Sequence, residues 1–256
     1  MASVGSSPTN EVIRPDADEL GVVEHAALSD VGLERTGNED SFLALPPLFV
    51  VADGMGGAEG GEVASRTLVE AFEEAAAGGE LPDSLEATVQ KANSRIHAMA
   101  TEDLSLKGMG CTTTASYVAG GRLTTAHVGD SRLYRLRAGS FEQLTEDHTL
   151  VGGLIRLGQL TREEAAVHPQ RSVILRAVGV EASVEVDMLH HDLAPDDVYL
   201  ACSDGLSGMV RDEVIAETLG MVETLATAAE MLIELANAAG GRDNITAVLF
   251  RIGRNA

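Results

Sequence analysis

Apolar positions recur along this chain with two periods, and the places where one gives way to the other outline the fold. Leu85, Val89, Ala92, Ile96 and Met99 return at steps of four and three, the spacing that aligns side chains on one helical face. Pro82 and Asp83 suit the first turn of that helix. Ala64, Leu68, Ala71, Phe72 and Ala75 repeat the pattern ahead of a Gly78-Gly79 stop, and Leu225, Ala228, Leu232 and Leu235 mark a third helix closed by Gly240-Gly241. Core packing accounts for all three stripes, Met99 included. Between and beyond them lie short β-rich runs: Phe42 to Ala52, Cys111 to Val118, Leu123 to Val128, Leu133 to Leu136, Val198 to Cys202 and Ile245 to Phe250. Gly120-Gly121 and the tight Gly129-Asp130-Ser131 break read as hairpin turns of an antiparallel meander. Strands grouped apart from helices predict an α+β layered fold and argue against a parallel βαβ sheet.

Composition narrows the classes. At 256 residues, 45% hydrophobic and 23% charged, the chain can bury a sizeable core as one large domain or two small ones. Residues 1–20 mix Ser, Pro, Asn, Asp and Glu with little apolar content, which predicts a flexible lead-in. No second linker or repeat follows, so residues 21–256 read as a single domain. Eighteen Lys and Arg against 40 Asp and Glu give a net charge of −22. A field of that sign repels phosphate backbones and anionic lipid, so neither nucleic acid nor a membrane is an expected partner. With aromatics at 3% and no Trp, stacking platforms for single strands are also missing. Cys111 and Cys202 form no C-x-x-C pair and read as reduced core thiols. The start, MASVGSSPTN, has no basic segment leading into an apolar one, and the longest apolar run is broken by Pro46-Pro47. A cytoplasmic protein is expected.

Most of the acids belong to a solvated surface, but a few stand in unusual settings. Asp53 ends the apolar run Leu48-Phe49-Val50-Val51-Ala52 and precedes Gly54; Asp204 ends Val198-Tyr199-Leu200-Ala201-Cys202-Ser203 and precedes Gly205. In each a buried strand delivers a carboxylate to its end, and the glycine lets backbone approach closely. Either alone could be an Asp-Gly hairpin turn, yet neither is followed by a pairing strand at hairpin distance. Asp243-Asn244 precedes the last strand, and Glu39-Asp40 precedes the first long apolar run. Acids brought together at strand ends repel unless cations join them. An all-oxygen set suits Mg2+ or Mn2+ and disfavours zinc. The seven histidines show no paired ligand spacing.

These segments have a common likeness. Arg35-x-x-Asn38-Glu39-Asp40, Val51-Ala52-Asp53-Gly54-Met55-Gly56-Gly57, Gly110-Cys111-Thr112-Thr113, Val128-Gly129-Asp130-Ser131-Arg132, Ser203-Asp204-Gly205-Leu206 and Arg242-Asp243-Asn244-Ile245-Thr246 resemble the ordered motifs of the metal-dependent serine/threonine protein phosphatases of type 2C, in the compact bacterial form. Asp147-His148-Thr149-Leu150 and His168-Pro169-Gln170-Arg171 resemble the borders of the family's flap, in which Gly152, Gly153 and Gly158 loosen the backbone. The resemblance runs from about residue 24 to 250. It implies a four-layer α-β-β-α sandwich, two antiparallel sheets flanked by helix pairs, with a metal centre at one end. Carried over by position, Asp53 bridges two tightly bound Mn2+ or Mg2+ ions with the Gly54 carbonyl beside it, Asp204 and Asp243 bind one ion, and Glu39 reaches the other through water. Asp130 and Asp204 hold a weaker third ion. Arg35 grips phosphate, and Asp40 orients the attacking water.

The chemistry asks for the same parts. Phosphate monoesters hydrolyse very slowly unaided, and two cations about 3.5–4 Å apart can both generate hydroxide at neutral pH and clamp an in-line displacement. Arginine's planar fork fits two phosphate oxygens. Met55 stands where eukaryotic members often carry a histidine proposed to protonate the leaving oxygen; methionine cannot, so another proton source is implied. The expected activity is hydrolysis of phosphoserine and phosphothreonine in phosphorylated proteins, by a monomer, reversing a cognate Ser/Thr kinase. Two alternatives are a partner-switching phosphatase acting on an anti-anti-sigma-type protein and a catalytically silent regulatory binding domain.

Overall fold

In the computed structural model, residues 20–79 and 85–254 are described; of the lead-in expected at residues 1–20 all but Leu20, which opens the first strand, lies outside them, as does the Pro82-Asp83 helix start. The strands are β1 (Leu20–Asp30), β2 (Ser41–Leu45), β3 (Leu48–Ala52), β4 (Gly54–Met55), β5 (Gly110–Cys111), β6 (Thr113–Ala119), β7 (Arg122–Val128), β8 (Arg132–Arg137), β9 (Ser140–Gln143), β10 (Asp187–Asp192), β11 (Val198–Cys202) and β12 (Ile245–Arg254). The helices are α1 (Ala58–Gly78), α2 (Leu85–Glu102), α3 (Leu150–Arg156), α4 (Arg162–Ala166), α5 (Asp204–Ser207), α6 (Asp212–Met221) and α7 (Leu225–Ala238). One five-stranded sheet runs β1-β12-β11-β8-β9, the other β10-β7-β6-β3-β2, and β4 pairs with β5 in a short ribbon. All the pairings are antiparallel.

Three apolar clusters make this a four-layer sandwich. Between the sheets, Phe49 stacks on Phe250 with ring centres 4.2 Å apart, Tyr199 stacks on Phe250 at 5.0 Å, and Leu123, Leu133, Val248 and Ile252 close around them. Helices α1 and α2 cover the outer face of one sheet through Leu68, Phe72, Val89 and Ile96. Helices α6 and α7 cover the other through Ile215, Leu219, Leu225 and Leu232. Because both faces of each sheet are covered, the central strands β3 and β11 are buried at every position, which is why they read as continuous apolar runs without alternation. Truncating Phe49 to alanine at the centre of this packing should cost about 3–5 kcal/mol.

Three expectations need correction. The run from Phe42 to Ala52 is a hairpin and not one strand: it turns at Pro46-Pro47, and Leu43 pairs with Val50. Proline cannot donate to a ladder, so the pair of prolines falls at the turn. Gly129-Asp130-Ser131 is not a hairpin either. Strand β7 belongs to one sheet and β8 to the other, so these three residues carry the chain across the sandwich. Gly129 makes the crossing possible with φ +108°, its missing Cβ leaving room for the Thr112 side chain. By contrast, Gly120-Gly121 does join a hairpin, β6 to β7. The flap glycines also differ from expectation, since Gly152 and Gly153 lie within α3, and a Cβ on Gly152 would stand 2.3 Å from the Asp147 carbonyl oxygen.

Candidate metal centre

Strands β3 and β11 sit in different sheets but end at the same edge of the sandwich, and their last residues lead into Asp53 and Asp204. Asp53 is locked by Thr112: its N–H donates to Thr112 Oγ1 (3.0 Å), and its carbonyl accepts from the Thr112 N–H (2.8 Å). The Thr112 hydroxyl also meets Ser131 Oγ at 2.7 Å, joining the Asp53 strand end to the crossover that carries Asp130. Asp204 opens α5 directly after the N-cap Ser203. The glycines that follow these two acids have a spatial reason. A Cβ on Gly54 would lie 2.2 Å from the Gly61 carbonyl oxygen, and one on Gly205 would lie 2.0 Å from that of Asn244. Backbone passes against backbone at both places.

The loop before β2 supplies the rest. Asn244 ties it down with one buried carboxamide, donating from Nδ2 to the carbonyls of Val31 and Gly37 (2.9 Å each) and accepting the Glu39 N–H on Oδ1 (2.7 Å). That loop holds Arg35 at the mouth, where its guanidinium pairs with Glu39 Oε1 at 3.1 Å and Asp243 Oδ2 at 2.9 Å. An open cleft of roughly 440 Å³ results, lined by Glu34, Arg35, Glu39, Asp53, Gly54, Met55, Asp130, Ile174, Asp204 and Asp243 among others. All the expected site residues except Asp40 line it. Asp40 is buried behind the wall, its Oδ2 accepting from Ser203 Oγ (2.7 Å) and Thr246 Oγ1 (2.6 Å). Its other oxygen, Oδ1, is buried with no hydrogen-bond partner among the described residues.

Electrostatics shows what the cluster lacks. Burial first, then repulsion from Asp40, Asp204, Asp130 and Asp243, holds Asp53 well above the usual carboxylate range. Burial, with further repulsion from Asp204 and Asp147 that Arg132 only partly offsets, pushes Asp130 up to about 8. Burial likewise pushes Asp40 up to about 7, against the pull of the Thr246 and Ser203 hydroxyls. For Asp204 burial and Asp243 raise the value to about 6, and a hydrogen bond from Asp53 works the other way. Without cations these acids share protons and borrow Arg35 as counter-charge. Among the described residues no three His, Cys, Asp or Glu side chains enclose a common ion position. The all-oxygen donor set, the mutual repulsion and the orphaned Asp40 Oδ1 fit hard divalent cations.

Comparison with known proteins agrees with this geometry. The family described as protein phosphatase 2C matches residues 37–247. The chain belongs to that family. The serine/threonine protein phosphatase PstP of Mycobacterium tuberculosis is 46% identical over 231 residues, covering 89% of this chain but only 45% of its own length. The serine/threonine phosphatase stp of Listeria innocua is 42% identical over 210 residues, 79% of this chain and 83% of that protein. The chain thus spans less than half of the mycobacterial relative. Among solved structures, the catalytic domain of PstP in complex with two manganese ions superposes with a TM-score of 0.84 at 42% identity, covering 92% of this chain and all of that one. The crystal structure of the Mycobacterium tuberculosis PstP gives 0.84 at 45% identity, over 90% and 98% of the two chains.

The sequence motifs contain Thr112, His148, Ser203, Asn244 and Thr246 but assign none of them a task. Their roles are hydrogen bonds to residues far away in the chain. The one local signal was a buried-looking polar residue beside each acid.

Proposed function

We propose that this protein is a Mn2+- or Mg2+-dependent phosphatase that hydrolyses phosphoserine and phosphothreonine in proteins. The observation that carries the reading is the all-oxygen cluster of buried and half-buried acids with one arginine at its mouth. Asp53 would hold two ions with the Gly54 carbonyl, Glu39, Asp204 and Asp243 around them, and Asp130 with Asp204 a weaker third. Bound there, the cations supply a hydroxide nucleophile at neutral pH and offset charge on the phosphoryl oxygens. Arg35, which stands at the mouth beside Glu39 and Asp243, would offer its fork to two phosphate oxygens when those acids are engaged by cations. The orphaned Asp40 Oδ1 is the acceptor left to orient a water. Met55 lines the cleft but has no proton to give, so the leaving oxygen takes its proton from elsewhere.

The match to relatives named as serine/threonine phosphatases supports phosphoproteins as substrates; we propose further that the activity opposed is that of a Ser/Thr kinase and that residues 21–256 act as one monomeric domain. Cys111 and Cys202, buried and free, suit the reducing cytoplasm, and no helix among the described residues is long and apolar enough to cross a membrane. The test is phosphopeptide hydrolysis with Mn2+, with excess chelator, and in Asp53→Asn. Turnover should need the ion and vanish in the variant. No turnover in any added divalent ion would leave only the silent binding domain, and full turnover in chelator would remove the cations from the mechanism.

A further inference from the structure

Asp130 reaches the cleft on the three-residue crossover between the sheets, so whatever fixes that crossover fixes Asp130. On its far side Ser131 is held by Thr112 Oγ1 and by Thr114 Oγ1, which donates to the Ser131 carbonyl at 3.0 Å. On its near side the grip is a single residue from the root of the flap. The His148 N–H donates to the Gly129 carbonyl (2.8 Å), and the Gly129 N–H donates back to His148 Nδ1 (3.0 Å). The imidazole is buried, with 3% of its side chain exposed. Since Nδ1 accepts, it carries no proton, and the neutral ring bears its hydrogen on Nε2. That Nε2–H points at Asp187 Oδ2 on β10, 3.2 Å away. Asp187 Oδ1 in turn takes Arg176 Nη1 at 2.5 Å, and the Leu175 N–H donates to the His148 carbonyl at 2.8 Å. Both nitrogens and both backbone groups of His148 are therefore engaged, two with Gly129, one with Leu175 and one with Asp187; Arg176 Nη1, which donates to Asp187, also stands 3.2 Å from Nε2.

We infer that His148 is a positioning residue: its unprotonated Nδ1 latches the Gly129–Asp130 crossover, and its backbone joins that crossover to the Leu175–Arg176 segment just past the flap, so that the placement of Asp130 follows the anchoring of the flap. Its value for catalysis rests on the functional reading above; the latch itself does not. The two ring nitrogens do different work, and amide side chains can separate them. In His148→Asn the amide oxygen falls near the place of Nδ1 and can accept from Gly129. In His148→Gln the amide nitrogen falls near the place of Nε2 and can donate to Asp187, leaving the Gly129 N–H without its acceptor.

The experiment compares the wild-type protein, His148→Asn and His148→Gln by 15N spectra of the imidazole, amide exchange at Gly129, thermal melting and phosphopeptide kinetics with Mn2+. The wild-type spectrum should show Nδ1 as the unprotonated nitrogen. Gly129 exchange should be about five- to ten-fold faster in the glutamine variant than in the asparagine variant, as loss of one buried hydrogen bond predicts. kcat should fall several-fold further in glutamine than in asparagine, with KM changing less. A protonated Nδ1, or equal Gly129 exchange in the two variants, overturns the latch. Rates that follow melting temperature irrespective of the side chain reduce His148 to a packing residue and overturn the positioning role. A wild-type protein without turnover refutes the functional reading alone, because the spectra and the exchange rates still judge the latch.

Discussion

A cluster of buried acids that lacks its cations should make the protein less stable as pH rises, and the effect can be sized from two residues. In an unfolded chain aspartates ionise near 4. In the folded chain burial and repulsion from neighbouring acids keep Asp130 protonated up to about 8 and Asp40 up to about 7. Between about pH 6.5 and 8 the folded state thus holds protons that the unfolded state has lost, and stability must fall as pH rises. At 1.36 kcal/mol per pH unit for each fully protonated group, the two together give about 2 kcal/mol over that window. Two histidines oppose this. Burial lowers His127 to about 4 and lowers His148 as well, so each stabilises the fold as pH rises through the unfolded histidine value near 6.5. For His127 about 0.4 kcal/mol of that gain lies within the window. The net fall is about 1.5 kcal/mol, or roughly 3–6 °C in melting temperature for a domain of this size. Differential scanning fluorimetry in excess chelator should show the fall, and millimolar Mn2+ should raise the curve more at pH 8 than at 6.5 because cations bind the ionised acids. A chelated protein whose melting temperature holds or rises from 6.5 to 8 would mean that the acids are not the buried, mutually repelling set described here.

Three single substitutions test the parts separately. Arg35→Ala should cost roughly ten-fold or more in kcat/KM for a phosphopeptide, since a charge-assisted fork is worth about 1.5–3 kcal/mol, while the melting shift on adding Mn2+ survives; loss of that shift would make Arg35 a support of the acids. Asp130→Ala should keep two tightly bound ions by calorimetry yet lose most activity towards phosphoprotein, whereas loss of all metal binding would move Asp130 into the main pair. Asn244→Ala deletes three hydrogen bonds holding the Arg35 loop and should destabilise the protein by about 3 kcal/mol, at about 1 kcal/mol per bond. Chemical denaturation measures it, and a change below about 1 kcal/mol would show that the loop is held by other means.

The parts of this fold that could be read from sequence are those whose cause is local. Strand β11 was legible to the residue because burial on both faces leaves an unbroken apolar run, Val198–Cys202, and α7 because its stripe is regular and glycine ends it. Strand β10, Asp-Met-Leu-His-His-Asp, has no such mark: it lies at a sheet edge beside β7, and edge positions tolerate polar residues on both faces. The crossover at Gly129-Asp130-Ser131 looked like a hairpin because turn chemistry reports only that the chain bends. Which sheet receives β8 is decided by Leu133 packing with Phe49 and Phe250 between the sheets, far off in sequence.

The same division runs through the site. The acids were legible because an aspartate at the end of an apolar strand, followed by glycine, has few structural uses. The residues that make the cluster tolerable were not, since Asn244 and Glu39 stand 205 residues apart, and Thr246 and Asp40 stand 206 apart. Their chemistry follows from the repulsion they oppose. Hydroxyl donors from Ser203 and Thr246 stabilise the Asp40 carboxylate from behind, Thr112 fixes the backbone of Asp53, and Arg35 neutralises Glu39 and Asp243 from the solvent side. Every support thus binds the acids from outside the cleft or through a side chain 44% exposed at its mouth. Among the described residues the middle is left to acids alone, a set of acceptor oxygens that a divalent cation can satisfy.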